Sequence, residues 1–373
     1  MFEEGARLKA EHGSDRVFDL TIGNPNLDPP AEFHQALHTI LQESTPGMHG
    51  YMPNAGYPFV RKSIAGYLEQ QYGIPLTEEE IIMTCGAAGA LNVVLKTVLD
   101  PGDEVLCPRP YFVEYGFYAD NHGGVLKTVP TNADFSLNVE AIAEAITPKT
   151  KVVLINSPNN PTGQVYSRES LQALGDALRE AGQRHGHTIY LVSDEPYRKI
   201  TYDDIDVPYI MDVYAESIVL TSYSKDLSLP GERIGFLAVH PDASDKKILL
   251  AGIITSNRIL GFVNAPALMQ RAVAMMLSSS VDVGVYKRKR DLLCDGLAKC
   301  GYAVTKPAGA FYLFLKAPIN DDVAFTRTLQ KELILAVPGT GFGGPGYIRL
   351  AYCVDDAAIT NAMPGFKRVL NAL

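Results

Sequence analysis

The chain has 373 residues, a formal net charge of -9, 46% hydrophobic and 20% charged residues, which supplies a large core and argues against bulk disorder. That length suits two ordinary domains or one large α/β unit with an appendage, and the negative charge disfavours nucleic acid as a partner. No apolar run approaches the ~18 residues of a membrane helix; residues 248–254 form one of the longest and stop at Thr255. The opening MFEEGARLKAEHG carries acids and no apolar segment, unlike a secretory signal. Cys85, Cys107, Cys294, Cys300 and Cys353 are scattered, without a C-x-x-C pair or metal-ligand spacing. Reduced thiols, no bound metal, no membrane and a cytoplasmic location are therefore expected.

In chain order, the first ~30 residues lack a core of their own and are expected to dock on a later domain. Short runs rich in β-branched residues follow at 105–108 (VLCP), 125–129 (VLKTV), 152–156 (VVLIN), 189–194 (IYLVSD) and 218–222 (IVLTS). Each is apolar on both faces, as strands covered on both sides are. Between the third and fourth, residues 168–185 place Leu171, Leu174 and Leu178 at helical spacing. The alternation predicts a mostly parallel sheet with crossover helices. Only ten residues separate Ser222 from the run RIGFLAV at 233–239, too few for a parallel crossover, so that pair is predicted antiparallel. From about Val285 a long helix, YKRKRDLLCDGLAKC, leads to AVTKPAGAFYLFLK, a further helix and YIRLAYC, a smaller α+β pattern. The expected division is an N-terminal segment (1–35) packing on the small domain, a large domain (36–284) and the small domain (285–373).

Four segments at predicted strand ends carry chemistry, where open α/β sheets gather ligands. TCGAAGALNVVLKTVL opens a helix with Gly86, Ala87, Ala88 and Gly89, small residues that let backbone N–H groups approach an anion. Neither a G-x-x-x-x-G-K-[ST] loop nor a G-x-G-x-x-G fingerprint occurs, which counts against ATP and against a nicotinamide-dependent dehydrogenase. SPNNPTG sets Asn160 in a rigid turn. DEPY ends a buried strand with Asp194, whose charge needs a positive partner, whether a structural ion pair or a ligand. SYSKDLSLPGERIG places Lys225 after a buried strand, with Ser222 and Arg233 near. A desolvated lysine becomes a nucleophile for a carbonyl, and an arginine beside a hydroxyl suits a phosphate.

A carbonyl-seeking lysine, a buried Asp for a pyridinium nitrogen, donors for a ring oxygen and an anion cradle are together what pyridoxal phosphate (PLP) requires. With them, the chain resembles the class I/II aminotransferases of the aspartate aminotransferase type, PLP fold type I. The resemblance rests on G-x-x-x-AL at Gly86, NPTG at Asn160, D-x-x-Y at Asp194, S-x-S-K with G-x-R-x-G at Lys225, PAGAFY at Pro307, PG-x-x-FG at Pro338 and RL at Arg349. These motifs run in order over nearly the whole chain. The resemblance implies an α/β fold with a large, mostly parallel sheet and a smaller α+β domain. It implies that Lys225 carries PLP as an aldimine and shuttles the substrate proton, that Asp194 pairs with the ring nitrogen, and that Tyr197 and Asn160 bond the ring 3-oxygen. It further implies phosphate contacts from Ala87, Ala88, Ser222 and Arg233, stacking of Phe112 on the ring, and a tyrosine, Tyr51, reaching the cofactor of the other subunit in a homodimer. Arg349 matches the arginine that clamps the substrate α-carboxylate, and Gly23, in TIGNP, would lie beside it together with Asn160.

The resemblance implies ping-pong transfer of an amino group from an L-amino acid to a 2-oxo acid. A PLP-dependent β C–S lyase acting on cystathionine-like substrates uses the same lysine, and a non-catalytic PLP-binding regulatory module shares the fold, although no helix-turn-helix or basic arm is visible. The sequence departs from the family in its short stretch before Gly23, its compact 338–349 segment, and the lack of the lysine near Ala88 that some aspartate-specific relatives carry. Tyr223, Asn257 and Arg258 are candidate pocket-wall residues.

Overall fold

The computed structural model describes residues 2–373, with side chains from residue 5 onward. The described residues form twelve strands: β1 (Phe18–Asp19), β2 (Ile81–Thr84), β3 (Glu104–Arg109), β4 (Val125–Pro130), β5 (Thr150–Asn156), β6 (Tyr190–Asp194), β7 (Ser217–Ser222), β8 (Gly235–Val239), β9 (Tyr312–Lys316), β10 (Ile334–Leu335), β11 (Val337–Pro338) and β12 (Tyr347–Ala351). Seven make one sheet in the order β2-β8-β7-β6-β5-β3-β4. The pairs β3–β4, β3–β5, β5–β6 and β6–β7 are parallel, while β8 runs antiparallel to both β7 and β2. The short Ser222-to-Arg233 connection thus makes the antiparallel step its length demands.

Helices cover both faces of this sheet. Ala31–Gln42, Pro58–Tyr72, Arg168–His185 and Ala267–Ala274 pack on one face; Gly86–Val98, Glu114–Asp120 and Lys246–Ile259 pack on the other. Arg168–His185 shows why its ends fall where they do. The Ser167 hydroxyl accepts a hydrogen bond from the Ser170 N–H at 3.2 Å, and Gly186 closes the helix at φ 71°, the left-handed conformation glycine adopts without a Cβ penalty. Leu171, Leu174 and Leu178 are fully buried beneath it.

Two strands of the large sheet differ from the sequence reading, and the two-residue strands β1, β10 and β11 were not expected either. β4, expected to be covered on both sides, lies at the sheet edge with Val125 43% exposed; apolar composition alone does not distinguish an edge strand from an interior one. β2 did not figure among the strand runs, yet all four of its residues are buried.

The C-terminal part builds a three-stranded antiparallel sheet, β11-β12-β9, beside the helices Val283–Cys300, Asp322–Lys331 and Asp356–Asn371. Its core contains Phe311, Phe325, Ile348 and Phe366, and Leu20 from the N-terminal segment joins it. β1 pairs in parallel with β10, Phe18 opposite Ile334. The helix Ala31–Gln42, by contrast, buries Phe33, Ala36 and Ile40 in the core of the large domain, beside helix Ala267–Ala274. None of the five cysteines forms a disulfide.

Candidate active site

Asn156, Asp194 and Ser222 end the neighbouring strands β5, β6 and β7, so register alone brings three polar residues to one edge. Asn156 stands opposite Asp194 and its amide donates to the Asp194 carbonyl at 2.7 Å. At this edge a cavity of about 1500 Å³ opens, where parallel α/β sheets bind ligands. Its wall combines the N-terminal segment (Thr21 to Asn24), the ends of the large sheet, and the small sheet through Tyr312, Val337 and Arg349. Gly23, Ala87, Ala88, Phe112, Asn160, Asp194, Tyr197, Ser222, Lys225, Arg233 and Arg349 all line it. Tyr51 does not; its side chain stands 94% exposed. Tyr223, Asn257 and Arg258 are also absent from the wall. Tyr223 and Asn257 are buried elsewhere, and Arg258 faces outward on its helix.

Lys225 sits on a single helical turn, Tyr223–Asp226, capped by the Ser222 hydroxyl, which accepts from the Ser224 N–H at 3.1 Å. Its Nζ donates to the Gly23 carbonyl at 2.8 Å. Burial lowers its pKa from 10.5 to about 8, helped by the charges of Arg349 and Arg233. A neutral amine is therefore available near neutral pH. Gly23 cannot carry a side chain, because a Cβ there would lie 1.8 Å from the Tyr312 hydroxyl. The Tyr312 hydroxyl also meets that of Tyr197 at 3.0 Å, and burial holds the Tyr197 pKa well above its ordinary value.

Asp194 is buried at the cavity floor. Its Oδ2 accepts from the Tyr115 hydroxyl at 2.7 Å, while Oδ1 is buried without a hydrogen-bond partner. Burial raises this carboxyl from 3.8 to about 6. A buried acceptor left open in this way costs stability unless something else supplies a donor.

Arg349, 8% exposed, donates from Nη2 to the Thr21 carbonyl at 2.6 Å and from Nη1 to Asn160 Oδ1 at 3.1 Å. Its guanidinium lies 4.6 Å from the Tyr312 ring centre and 4.8 Å from that of Phe342. Among the described residues no carboxylate comes within ion-pair distance of it, and its Nε is buried without a partner. A buried cation without a counter-charge marks a seat for an anion.

A second anion seat lies at the start of helix Gly86–Val98. Its N-cap, Cys85, makes no side-chain cap, so the N–H groups of the first turn stay available. Arg233, at φ 51°, lays its guanidinium over Gly86, where a Cβ would come 3.1 Å from Nη2. Gly235 is equally required, since a Cβ would fall 2.3 Å from the Thr221 carbonyl oxygen. Ser222 and Ser224 complete this seat, their hydroxyls 2.5 Å apart. Phe112 stands half-buried, edge-on to Tyr115 at 5.5 Å between ring centres.

Tyr115, Tyr312 and Thr21 were not identified as site residues from the sequence. Tyr312 belongs to the PAGAFY motif, a signal that was present but carried no role. Tyr115 meets its partner Asp194 across 79 residues of chain, and no local pattern announces that contact.

The open groups fit PLP: an unpaired carboxylate oxygen for a protonated ring nitrogen, a basic helix start for a phosphate and a low-pKa amine for a carbonyl. The description "Aminotransferase class I and II" matches residues 15–365. A probable aspartate aminotransferase of Methanocaldococcus jannaschii is 33% identical over 359 residues, covering 94% of this chain and 92% of the relative. An aspartate/prephenate aminotransferase of Thermus thermophilus is 32% identical, covering 94% and 90%. Among solved structures, an amino transferase from Eubacterium rectale superposes with a TM-score of 0.97 at 38% identity over 100% of this chain and 94% of that one. Thermus thermophilus aspartate aminotransferase with maleate gives 0.88 at 31% identity over 99% and 95%. All four bear aminotransferase names rather than lyase names. The chain belongs to the class I and II aminotransferase family, and is a PLP-dependent transaminase of fold type I.

Proposed function

We propose that the cavity residues divide the work of moving an amino group from an amino acid to a 2-oxo acid. PLP, when bound, supplies the carbonyl that takes up the amino group and an electron sink for the pair left on the substrate Cα. Ala87 and Ala88 N–H groups, Ser222, Ser224 and Arg233 would hold its phosphate. Asp194 Oδ1 would accept from its ring nitrogen, with Tyr115 steadying the other oxygen. Tyr197 and the Asn160 amide would flank its ring oxygen, and Phe112 would cover a ring face.

Arg349 binds the substrate α-carboxylate through its fork, with the Thr21 carbonyl and Asn160 fixing the guanidinium plane. Gly23 lets the backbone approach that carboxylate. Lys225 Nζ takes the Cα proton and returns it to the cofactor side, a role its depressed pKa suits. The surrounding buried aromatic residues exclude water from this transfer.

The observation that carries this reading is the open Oδ1 of Asp194 on the same cavity as Lys225. Replacement of Lys225 by Ala is expected to abolish the visible absorbance of the lysine-bound cofactor and to slow the half-reaction by about 10⁴-fold. A near-normal rate in that variant overturns the assignment.

A homodimer completes the reading, with Tyr51 reaching the phosphate of the neighbouring subunit, and a cytoplasmic location agrees with the unpaired cysteines. The same reading divides the chain into an N-terminal segment, a large and a small domain, with the first boundary at 30 instead of 35, because helix Ala31–Gln42 joins the core of the large domain beside helix Ala267–Ala274.

A further inference from the structure

We propose that Tyr312 is a positioning residue serving both grips of this site: its hydroxyl orients Tyr197 toward the cofactor ring oxygen, and its ring steadies the Arg349 guanidinium for the substrate carboxylate. The inference rests on the reading above, in which Tyr197 serves the cofactor and Arg349 the α-carboxylate.

Register sets the arrangement. On β9, Tyr312 stands opposite Ala351 of β12, while Arg349 stands opposite Phe314. Residues two apart on a strand share a face, so Tyr312 and Arg349 are diagonal neighbours within reach of each other. The Arg349 guanidinium lies over the Tyr312 ring, 4.6 Å from its centre. Thr21 and Asn160 hold the two Nη atoms, and the ring contact restrains where the fork points.

The buried Tyr312 hydroxyl meets the Tyr197 hydroxyl at 3.0 Å. It also presses on Gly23, where a Cβ would lie 1.8 Å away, and the Gly23 carbonyl receives Lys225 Nζ. One side chain of the small sheet thus touches the cofactor tyrosine, the backbone that holds the lysine and the carboxylate-binding arginine.

The direction of the phenol–phenol bond follows from counting protons. Burial keeps both groups protonated, pushing Tyr312 up to about 12 and Tyr197 well above its ordinary value. Each phenol has one proton to give. With the Tyr197 proton spent on the cofactor ring oxygen, its own oxygen accepts at the 3.0 Å contact, and Tyr312 is the donor. That donation polarises the Tyr197 O–H and strengthens the bond it gives onward. A stronger bond stabilises negative charge on the ring oxygen, so the lysine-bound cofactor holds its proton more loosely. The titratable groups facing the pair are Lys225, Asp194, Arg349 and Cys353, and the Tyr312 variants leave all four in place.

The test uses the holoenzyme of wild type, Tyr312→Phe, Tyr312→Leu, Tyr197→Phe and Arg349→Ala. The pH midpoint of the visible absorbance of the lysine-bound cofactor is titrated in each. Binding of 3-phenylpropionate and succinate, carboxylates without an amino group to react, is measured by calorimetry. Tyr312→Phe loses the hydroxyl and keeps the ring. Its midpoint should rise by about half a pH unit, a roughly threefold gain in proton affinity, with carboxylate binding within about twofold of wild type. Tyr312→Leu loses both, and should add to that rise a roughly tenfold weaker carboxylate affinity. A side chain that only fills the core would lower the unfolding midpoint and move neither readout. An unmoved absorbance midpoint in Tyr312→Phe, where Tyr197→Phe raises it, overturns the inference and leaves the active-site reading standing. So does wild-type carboxylate binding in Tyr312→Leu where Arg349→Ala weakens it. If Tyr197→Phe leaves the midpoint unmoved, or Arg349→Ala leaves binding unmoved, the active-site reading itself falls and the inference falls with it.

Discussion

Two adjacent buried carboxylates, Asp194 and Glu195, have opposite fates. Glu195 is closed: Ser193 donates to one oxygen at 2.8 Å and Arg198 to the other at 2.8 Å. Arg198 is closed in turn, donating to the Tyr72 hydroxyl at 2.8 Å and to two carbonyls, with its guanidinium over the Tyr72 and Tyr209 rings. Asp194 has one oxygen bonded to Tyr115 and the other buried without a partner. In the same DEPY segment, the ordinary ion pair expected of a buried acid is taken by Glu195, and the unpaired group is Asp194. The difference teaches that a functional charge is recognised by what its neighbours leave unsatisfied, and not by burial alone.

The sharpest way to break this comparison is to mutate both acids. Glu195→Ala strands Arg198 in the core and should cost about 3–5 kcal/mol of unfolding free energy, measured by denaturant titration. Asp194→Asn should do the reverse. Transamination should fall by about 10²–10³-fold, the size of losing one aligned electrostatic partner, while the cofactor-free protein becomes more stable. The sign follows from the raised carboxyl, 3.8 when unfolded and about 6 when folded. Below pH 3.8 it is protonated in both states and the variant gains nothing. The cost of ionising it grows as pH rises through that window and is complete above about 6, reaching roughly 3 kcal/mol. Equal stability of wild type and variant at pH 5 and pH 8 would show that Asp194 is not held under strain.

Arg349 offers a cationic version of the same contrast with Arg198. Arg349→Ala should lower kcat/KM by about 10²-fold through loss of charge-assisted bonds to the substrate, with little loss of stability because no carboxylate partner is orphaned. Arg198→Ala, which strands Glu195, should instead unfold the protein more readily. A stability loss in Arg349→Ala matching that of Arg198→Ala would recast Arg349 as structural.

How far these features were legible in the sequence depends on how local they are. The helix Arg168–His185 was readable to its ends because Ser167, Gly186 and three leucines all act within it. The antiparallel step to β8 was readable because ten residues set a geometric limit. β4 was misread because edge position is decided by strand order, which its own residues do not encode. Lys225, Asp194 and Tyr197 were legible through motifs, yet the residues that touch the last two, Tyr115 and Tyr312, lie 79 and 115 residues away from them in the chain. The positions that supply chemistry therefore carried a signal that the positions supporting them did not.

Tyr51 gives the smallest expected effect and probes the surface rather than the core. Its loop is pinned: Asn264 donates to the Met52 and Pro53 carbonyls at 3.3 and 3.1 Å, and Asn257 to the Asn54 carbonyl at 3.2 Å. The ring stands on this fixed loop 94% in solvent. If the phenol reaches the phosphate in a neighbouring subunit, Tyr51→Phe removes one charge-assisted hydrogen bond and keeps the ring. PLP affinity should then fall by about tenfold, with the unfolding midpoint of the cofactor-free protein unchanged and the dimer intact by light scattering. Unchanged affinity in that variant would detach Tyr51 from the site and leave the phosphate to Ser222, Ser224, Arg233 and the helix start alone.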